Sequence, residues 1–312
     1  MKLDHMIFTR FSLRGIFPQT IGRIDPLDPE FLQLRISLIK MISLPSILSQ
    51  TDQNFAWIII IDPELPSEWR KIVEEITSSK DRSHVVEYCG NELASKTDWV
   101  KHLVLPETDY LITTLLDDDD SLPVTYVEQL KNRVVKTEQN LGEFPAMTMA
   151  ASQIIQWDMK FSPAAHYGYK CPWHRKQTKA SSCGFSLACK FPEISLSVLN
   201  LKHRWAFEYL RFADTAAQET IKEFQGELLQ QCKATGLDIF SKPSDDMIVD
   251  MSSLVGPILM TNHAKNAVQT RISEEKETYE KVEGPTTFQN FSINWPMVDE
   301  HSFLFQTHKE GN

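Results

Sequence analysis

Apolar and polar positions change period in blocks along the first 125 residues. His5-Met6-Ile7-Phe8-Thr9 reads as a first strand, and Pro and Gly punctuate a loop over residues 14–29. From Phe31 to Ile42 the apolar positions recur at helical spacing, and Pro45 ends or bends that helix. Phe55-Ala56-Trp57-Ile58-Ile59-Ile60-Ile61 is a continuous apolar run, the pattern of a strand buried on both faces of a parallel sheet, stopped by Asp62-Pro63. Pro66-Ser67 opens an amphipathic helix carrying Trp69, Ile72, Val73 and Ile76. A short strand over residues 84–88, a helix over 98–105 and a strand over 110–116 follow. This order predicts an open α/β sheet.

The last of these strands ends in the most informative stretch of the chain, Asp117-Asp118-Asp119-Asp120. Two carboxylates ~4 Å apart repel by roughly 4 kcal/mol at an effective dielectric of 20. The group must therefore lie open to water, take up protons, or share a hard divalent ion. A second reading is a helix N-terminus, with Ser121-Leu122-Pro123 starting a helix through Val127, Leu130 and Val134 and the carboxylates capping it.

In open α/β sheets, ligands bind outside the carboxyl ends of the strands. Thr9, Arg10, Asp62 and the four aspartates all fall there. With no GxGxxG and no GxxxxGK[ST], phosphates would be held by metal and side chains, which disfavours dehydrogenases and P-loop enzymes.

Composition removes other classes. The 32 Lys plus Arg against 42 Asp plus Glu give a net charge of −10, which argues against bulk affinity for nucleic acid or anionic membrane. Five cysteines without a CxxC pair suggest neither a disulfide framework nor a zinc site. No basic n-region with an apolar stretch opens the chain and no window approaches ~18 apolar residues, so a cytoplasmic protein without a transmembrane segment is expected.

Thr9-Arg10-Phe11, Leu34-Arg35, Leu44-Pro45-Ser46, Gln50-Thr51, Phe55-Ala56-Trp57 and Leu116-Asp117-Asp118-Asp119-Asp120-Ser121-Leu122 resemble, in order and spacing, the rhamnosyltransferase family of GT-A-fold glycosyltransferases. Ser182-Cys183-Gly184-Phe185-Ser186 and Asn262-His263-Ala264-Lys265-Asn266 look like its later motifs. Where the family usually has an Arg between the strand's Thr and the Leu-Asp pair, this chain has Thr114-Leu115-Leu116.

The resemblance implies a half-Rossmann-like, mostly parallel sheet flanked by helices, with a C-terminal helical or irregular extension. It implies a GT-A domain over residues 1–270, its nucleotide-binding half 1–125 and acceptor half 126–270, with 271–312 packed on it. It implies transfer of a sugar, rhamnose included, from a dTDP-, UDP- or GDP-linked donor to a glycan or glycolipid, with inversion and with Mn²⁺ or Mg²⁺, in the cytoplasm or at the inner membrane face.

By the same resemblance, Asp117 would contact ribose or a water on the metal and Asp119 would ligate the metal, with Asp118 and Asp120 as a competing register. His263 resembles the C-terminal histidine that completes the metal site in many GT-A enzymes, and neutral imidazole suits Mn²⁺. Asp62 looks like the nucleobase-binding residue, against simple strand termination before Pro63. Arg10 reaches nucleotide phosphates or forms a structural ion pair. Glu193, Asp245 and Asp246 are candidates for the base that deprotonates the acceptor hydroxyl, with helix capping as the alternative for each. Residues 169–179, basic and aromatic, read as an acceptor loop in which Trp173 or Tyr169 stacks on a sugar, or as a solvated loop. The charged run from Glu274 to Glu283 reads as an exposed helix.

Two rival functions share the acidic cluster. One is a nucleotidyltransferase or phosphohydrolase acting on an NTP; the other is a non-catalytic interaction module whose acidic turn is only a helix cap.

Overall fold

A computed structural model describes residues 1–15, 25–89, 97–144, 146–151, 153–159, 167–172, 183–193, 196–200, 248–262, 280–283 and 288–301. The elements that position the site begin with β1 (Leu3–Phe11), α1 (Pro29–Leu38), a π-helical turn (Ile39–Ser43) and α2 (Leu44–Leu48). Then come β2 (Ala56–Ile61), α3 (Ser67–Thr77), β3 (Ser83–Glu87), a 3₁₀ turn (Asp98–Leu103), β4 (Tyr110–Leu115) and α4 (Tyr126–Leu141). The later strands are β5 (Ala146–Ala150), β6 (Gln153–Asp158), β7 (Tyr167–Pro172), β8 (Ser186–Lys190) and β9 (Ile248–Asp250). α5 (Ser252–Val255), β10 (Ile258–Asn262), β11 (Glu280–Glu283) and α6 (Trp295–Glu300) complete the described elements.

Seven strands form one sheet in the order β3-β2-β1-β4-β8-β5-β9, in which only β8 runs antiparallel to its neighbours. A second sheet has the order β10-β6-β7-β11. This mixed α/β fold with a mostly parallel central sheet is the class expected. Strand periodicity sorts the apolar residues onto two covered faces. Ile7, Trp57, Ile59 and Ile61 pack with Leu32, Ile36, Val73 and Val127. Met6, Phe8, Ile58 and Ile60 face Val100, Val198 and Leu199. A third cluster joins Leu38, Met41 and Ile42 to Trp157, Leu259, Phe288, Phe291 and Val298, so residues near the C-terminus pack beside the π turn.

Pro45 neither ends the helix nor stands in a regular one. The widened turn over Ile39–Ser43 accommodates the missing N–H and the ring of Pro45, and the chain continues as α2. Residues 29–48 are the one helical run, among the described residues, long and apolar enough to cross a membrane, and 61% of its apolar window is buried inside the protein. The expectation that no such window exists is corrected here; Arg35 and Lys40 lie within the run. Two further expectations are corrected. The residues from Glu280 form a strand paired with β7, and the stretch read as a loop from residue 169 begins within β7 itself.

A buried polar chain runs beneath the site. His5 Nε2 lies 2.8 Å from Thr114 Oγ1, and Thr114 Oγ1 lies 2.7 Å from Ser186 Oγ. Tyr126 OH donates to the Gly184 carbonyl and lies 3.3 Å from Ser186 Oγ. Burial, with Lys131 and Arg82 nearby, holds His5 well below its ordinary pKa. An imidazole neutral in the fold but chargeable when unfolded stabilises above its unfolded pKa of 6.5, and that contribution is lost as pH falls. Stability is expected to fall by about 1.4 kcal/mol per pH unit from roughly one unit below that point, where one proton is taken up on unfolding. Urea midpoints against pH for the wild type and His5→Gln test this; equal slopes would mean that His5 is not held neutral.

Candidate active site

The acidic run leaves β4 as a tight turn at the carboxyl edge of the parallel strands, closed by the Asp120 amide donating to the Asp117 carbonyl at 3.2 Å. It does not cap a helix. Helix α4 begins at Tyr126 with Thr125 as its cap, and Ser121 instead exchanges backbone hydrogen bonds with Leu259 of β10 at 3.0 and 3.1 Å. Pairing with a distant strand holds residues 121–125 out of the helix that their own sequence suggests.

Ser43 and Ser46 on the helical run, and Gln50 just past the end of α2, hold the turn from below. The Ser43 hydroxyl donates to the Asp117 and Asp120 carbonyls at 3.2 Å each. Ser46 Oγ accepts from the Leu122 amide at 2.9 Å, and Gln50 donates to the Pro123 carbonyl at 3.1 Å while accepting from the Val127 amide at 3.1 Å. These residues and Arg35 were missed as site residues. The available signal was Ser43 and Ser46, polar residues three apart on a largely apolar turn of the helical run.

Neutralisation comes from two arginines, Arg10, in the ion pair that is its alternative reading, and Arg35. Arg10 donates to Asp117 Oδ1 at 2.7 Å. Arg35 Nε donates to Asp118 Oδ2 at 2.9 Å, its Nη2 contacts Asp118 Oδ1, and its Nη1 donates to Asp119 Oδ2 at 3.0 Å. Asp118 is fully buried, whereas the side chains of Asp117 and Asp119 keep 24% and 11% exposure, so these two are the turn carboxylates that solvent reaches most. Asp120 is buried and accepts from the Thr261 amide at 3.2 Å. Burial first, then Asp119 and Asp117, push its pKa well above the carboxylate range. Burial and then Asp120 also push up the Cys183 thiol. The Asp117 carboxylate is the largest cause of the raised pKa of Arg10. Whichever way Asp120 titrates, carboxylates outnumber guanidinium groups, and the turn keeps surplus negative charge.

The remaining predicted residues separate. Thr9 is corrected to a core residue: its hydroxyl accepts from the Trp57 indole at 3.0 Å, on the face that carries Ile7 and Phe11. Asp62 accepts from Arg14 Nη2 at 2.8 Å, Arg14 Nε and the Arg14 amide at 3.1 Å, and the Glu64 amide at 3.0 Å. Burial alone would raise its pKa, but these bonds hold it below the ordinary value. Its carboxylate is thus committed to closing the β1 and β2 ends together, so a nucleobase would have to displace Arg14.

Glu193 is corrected too. It pairs with Lys190 at 3.4 Å, and Lys190 aligns with Tyr110 at the start of β4. The chain from Tyr110 to Asp117 spans roughly 20 Å at ~3.3 Å per residue, so Glu193 sits at the wrong end of the sheet for a base. Asp245, Asp246 and His263 lie outside the described residues, as do residues 173–179 and the side chains of 167–172.

The hard oxygen donors of Asp117 and Asp119 suit Mg²⁺ or Mn²⁺, and the surplus charge favours a cation. Among the described residues no group of three or more His, Cys, Asp or Glu converges to hold an ion, so further ligands would come from donor phosphates or from residues outside them.

A family model described as "Putative rhamnosyl transferase" matches residues 6–161. No curated protein sequence matches significantly. Three solved structures similar to this chain illustrate its relatives in shape. S. aureus TarS has a TM-score of 0.27 and 12% identity over 51% of this chain and 21% of its own, so this chain spans about a fifth of that protein. A "putative nucleotide-diphospho-sugar transferase" from Desulfovibrio desulfuricans has a TM-score of 0.37 and 8% identity over 98% and 97%. Mouse xyloside xylosyltransferase 1 has a TM-score of 0.30 and 9% identity over 79% and 84%.

Proposed function

The chain belongs to the rhamnosyl transferase family, and on that premise we propose a metal-dependent, inverting glycosyltransferase that moves a sugar, rhamnose by the family's description, from a dTDP-, UDP- or GDP-linked donor to a glycan or glycolipid. Glycosyl transfer is what the family's description gives; nucleotide-linked donor, metal, sugar, acceptor and stereochemistry are proposed. One observation carries the metal part. The acidic turn lies at the carboxyl edge of the sheet, caps no helix, and retains more carboxylates than its two arginines neutralise.

Departure of the donor's diphosphate leaves growing negative charge on its oxygens. A divalent ion, when bound, supplies positive charge against it. Asp119, steadied by Arg35, is proposed to hold that ion, and Asp117, steadied by Arg10, to face the ribose. Asp120 ties the turn to Thr261, two residues before His263, which supports His263 as a further ligand. Asp245 and Asp246 carry the proposal for the acceptor base. One catalytic domain over residues 1–270 with 271–312 as an extension is supported by the packing of Phe288, Phe291 and Val298 beside the π turn. The proposed setting is the cytoplasm or the inner membrane face.

The test is product identity. Incubated with dTDP-, UDP- and GDP-sugars and Mn²⁺, the protein is expected to release the nucleoside diphosphate from one of them, and EDTA to lower the rate by about 100-fold or more. Release of pyrophosphate would assign nucleotidyl transfer instead, and turnover indifferent to EDTA would remove the metal.

A further inference from the structure

Arg35 is the residue whose geometry exceeds what neutralisation requires. Its guanidinium forks onto buried Asp118 through Nε and Nη2, and its remaining terminal nitrogen, Nη1, reaches Asp119 Oδ2 at 3.0 Å. A planar fork fixed at one carboxylate has a fixed direction toward the second, whereas an ammonium, a point charge on a flexible stem, fixes neither. The anchor is firm because Asp118 is fully buried, and the Phe31 ring lies 5.8 Å below the guanidinium carbon.

Resting on the metal reading above, we propose that Arg35 is a positioning residue: anchored on Asp118, it sets the orientation of the Asp119 carboxylate toward the divalent ion. Asp118 then serves as the anchor for Arg35 and does not contact the donor. Hydrogen bonds to metal-ligating groups set the ligand's orientation, and their loss typically lowers metal affinity 10–100-fold.

Mn²⁺ is titrated calorimetrically into the full chain with UDP and, separately, with dTDP, corrected for the metal that free nucleotide binds. Removing Arg35 alone would strand a buried carboxylate, so the variants are Arg35→Lys and the apolar pair Arg35→Met with Asp118→Leu. Replacing a buried ion pair by apolar side chains is often neutral for stability. The expected result is a folded double variant, Tm within about 5 °C of wild type, that binds Mn²⁺ about 10–100-fold more weakly. Arg35→Lys should lose at least a few-fold although it keeps the charge. Wild-type Mn²⁺ affinity in either variant overturns the positioning role, and Arg35→Lys decides the matter should the pair fail to fold. Absence of Mn²⁺ binding by the wild type with both nucleotides overturns the metal reading itself, and the inference with it.

Discussion

Asp119→Ala is expected to lower kcat by about 100- to 1000-fold while Tm moves by no more than about 3 °C. The first half follows from electrostatics. Asp119 is one of two turn carboxylates with appreciable solvent access, and removing one pre-placed group that acts on transition-state charge typically costs 10²–10³ in rate. The second half follows from where the buried charge sits. Arg35 keeps both contacts to Asp118 when Asp119 is gone, and its freed nitrogen has water in reach because the side chain remains 14% exposed. Removing one of several crowded carboxylates also relieves repulsion. Asp118→Ala should instead lower Tm by several degrees, because it strips a partner from a mostly buried guanidinium, a class of change that costs about 3–5 kcal/mol, and it should weaken Mn²⁺ binding as well through loss of the Arg35 anchor. Steady-state kinetics and thermal melts of the two variants decide. Activity surviving in Asp119→Ala together with a Tm several degrees lower would make the turn a structural device.

The same residues show what the sequence makes legible. Strands β1, β2 and β4 follow from apolar pattern alone, since each is buried on both faces and local composition suffices. Placing the acidic run at the carboxyl edge follows from that order. What failed depends on partners far along the chain. Arg35 meets Asp118 across 83 residues, and Ser43 meets Asp120 across 77, so nothing near either residue announces the contact. Ser121-Leu122-Pro123 carries a valid helix-start signal, yet pairing with Leu259 outweighs it. Glu193 is suggested by its place eight residues after Phe185, but the antiparallel direction of β8, set by pairing with β4 and β5, carries it to the far end of the sheet. Local pattern fixes elements, and direction and register come from pairing.

Gly184→Ala is expected to destabilise the protein by about 2–5 kcal/mol and to lower activity along with it. Gly184 has φ +68°, where a Cβ costs about 1–2 kcal/mol. That Cβ would also run into Ile258 Cδ1 and come within 3.2 Å of Leu122 Cδ2 and the Tyr126 hydroxyl. Overpacking of this kind adds roughly 1–3 kcal/mol. The neighbours cannot give way freely. The Gly184 amide donates to the Leu115 carbonyl at 2.7 Å, its carbonyl accepts from Tyr126, and Leu122 and Ile258 flank the Ser121–Leu259 bridge that holds the acidic turn to β10. A Tm loss on the order of 5–15 °C is the corresponding observable. Gly142 supplies the comparison, since it too has positive φ, +76°, but a Cβ there meets nothing within 4 Å. Gly142→Ala should therefore carry the backbone cost alone and leave kcat intact at temperatures where the protein is folded. If Gly184→Ala melts no earlier than Gly142→Ala and turns over normally, the close packing of Ile258 and Leu122 beneath the turn is not what holds the four aspartates in place.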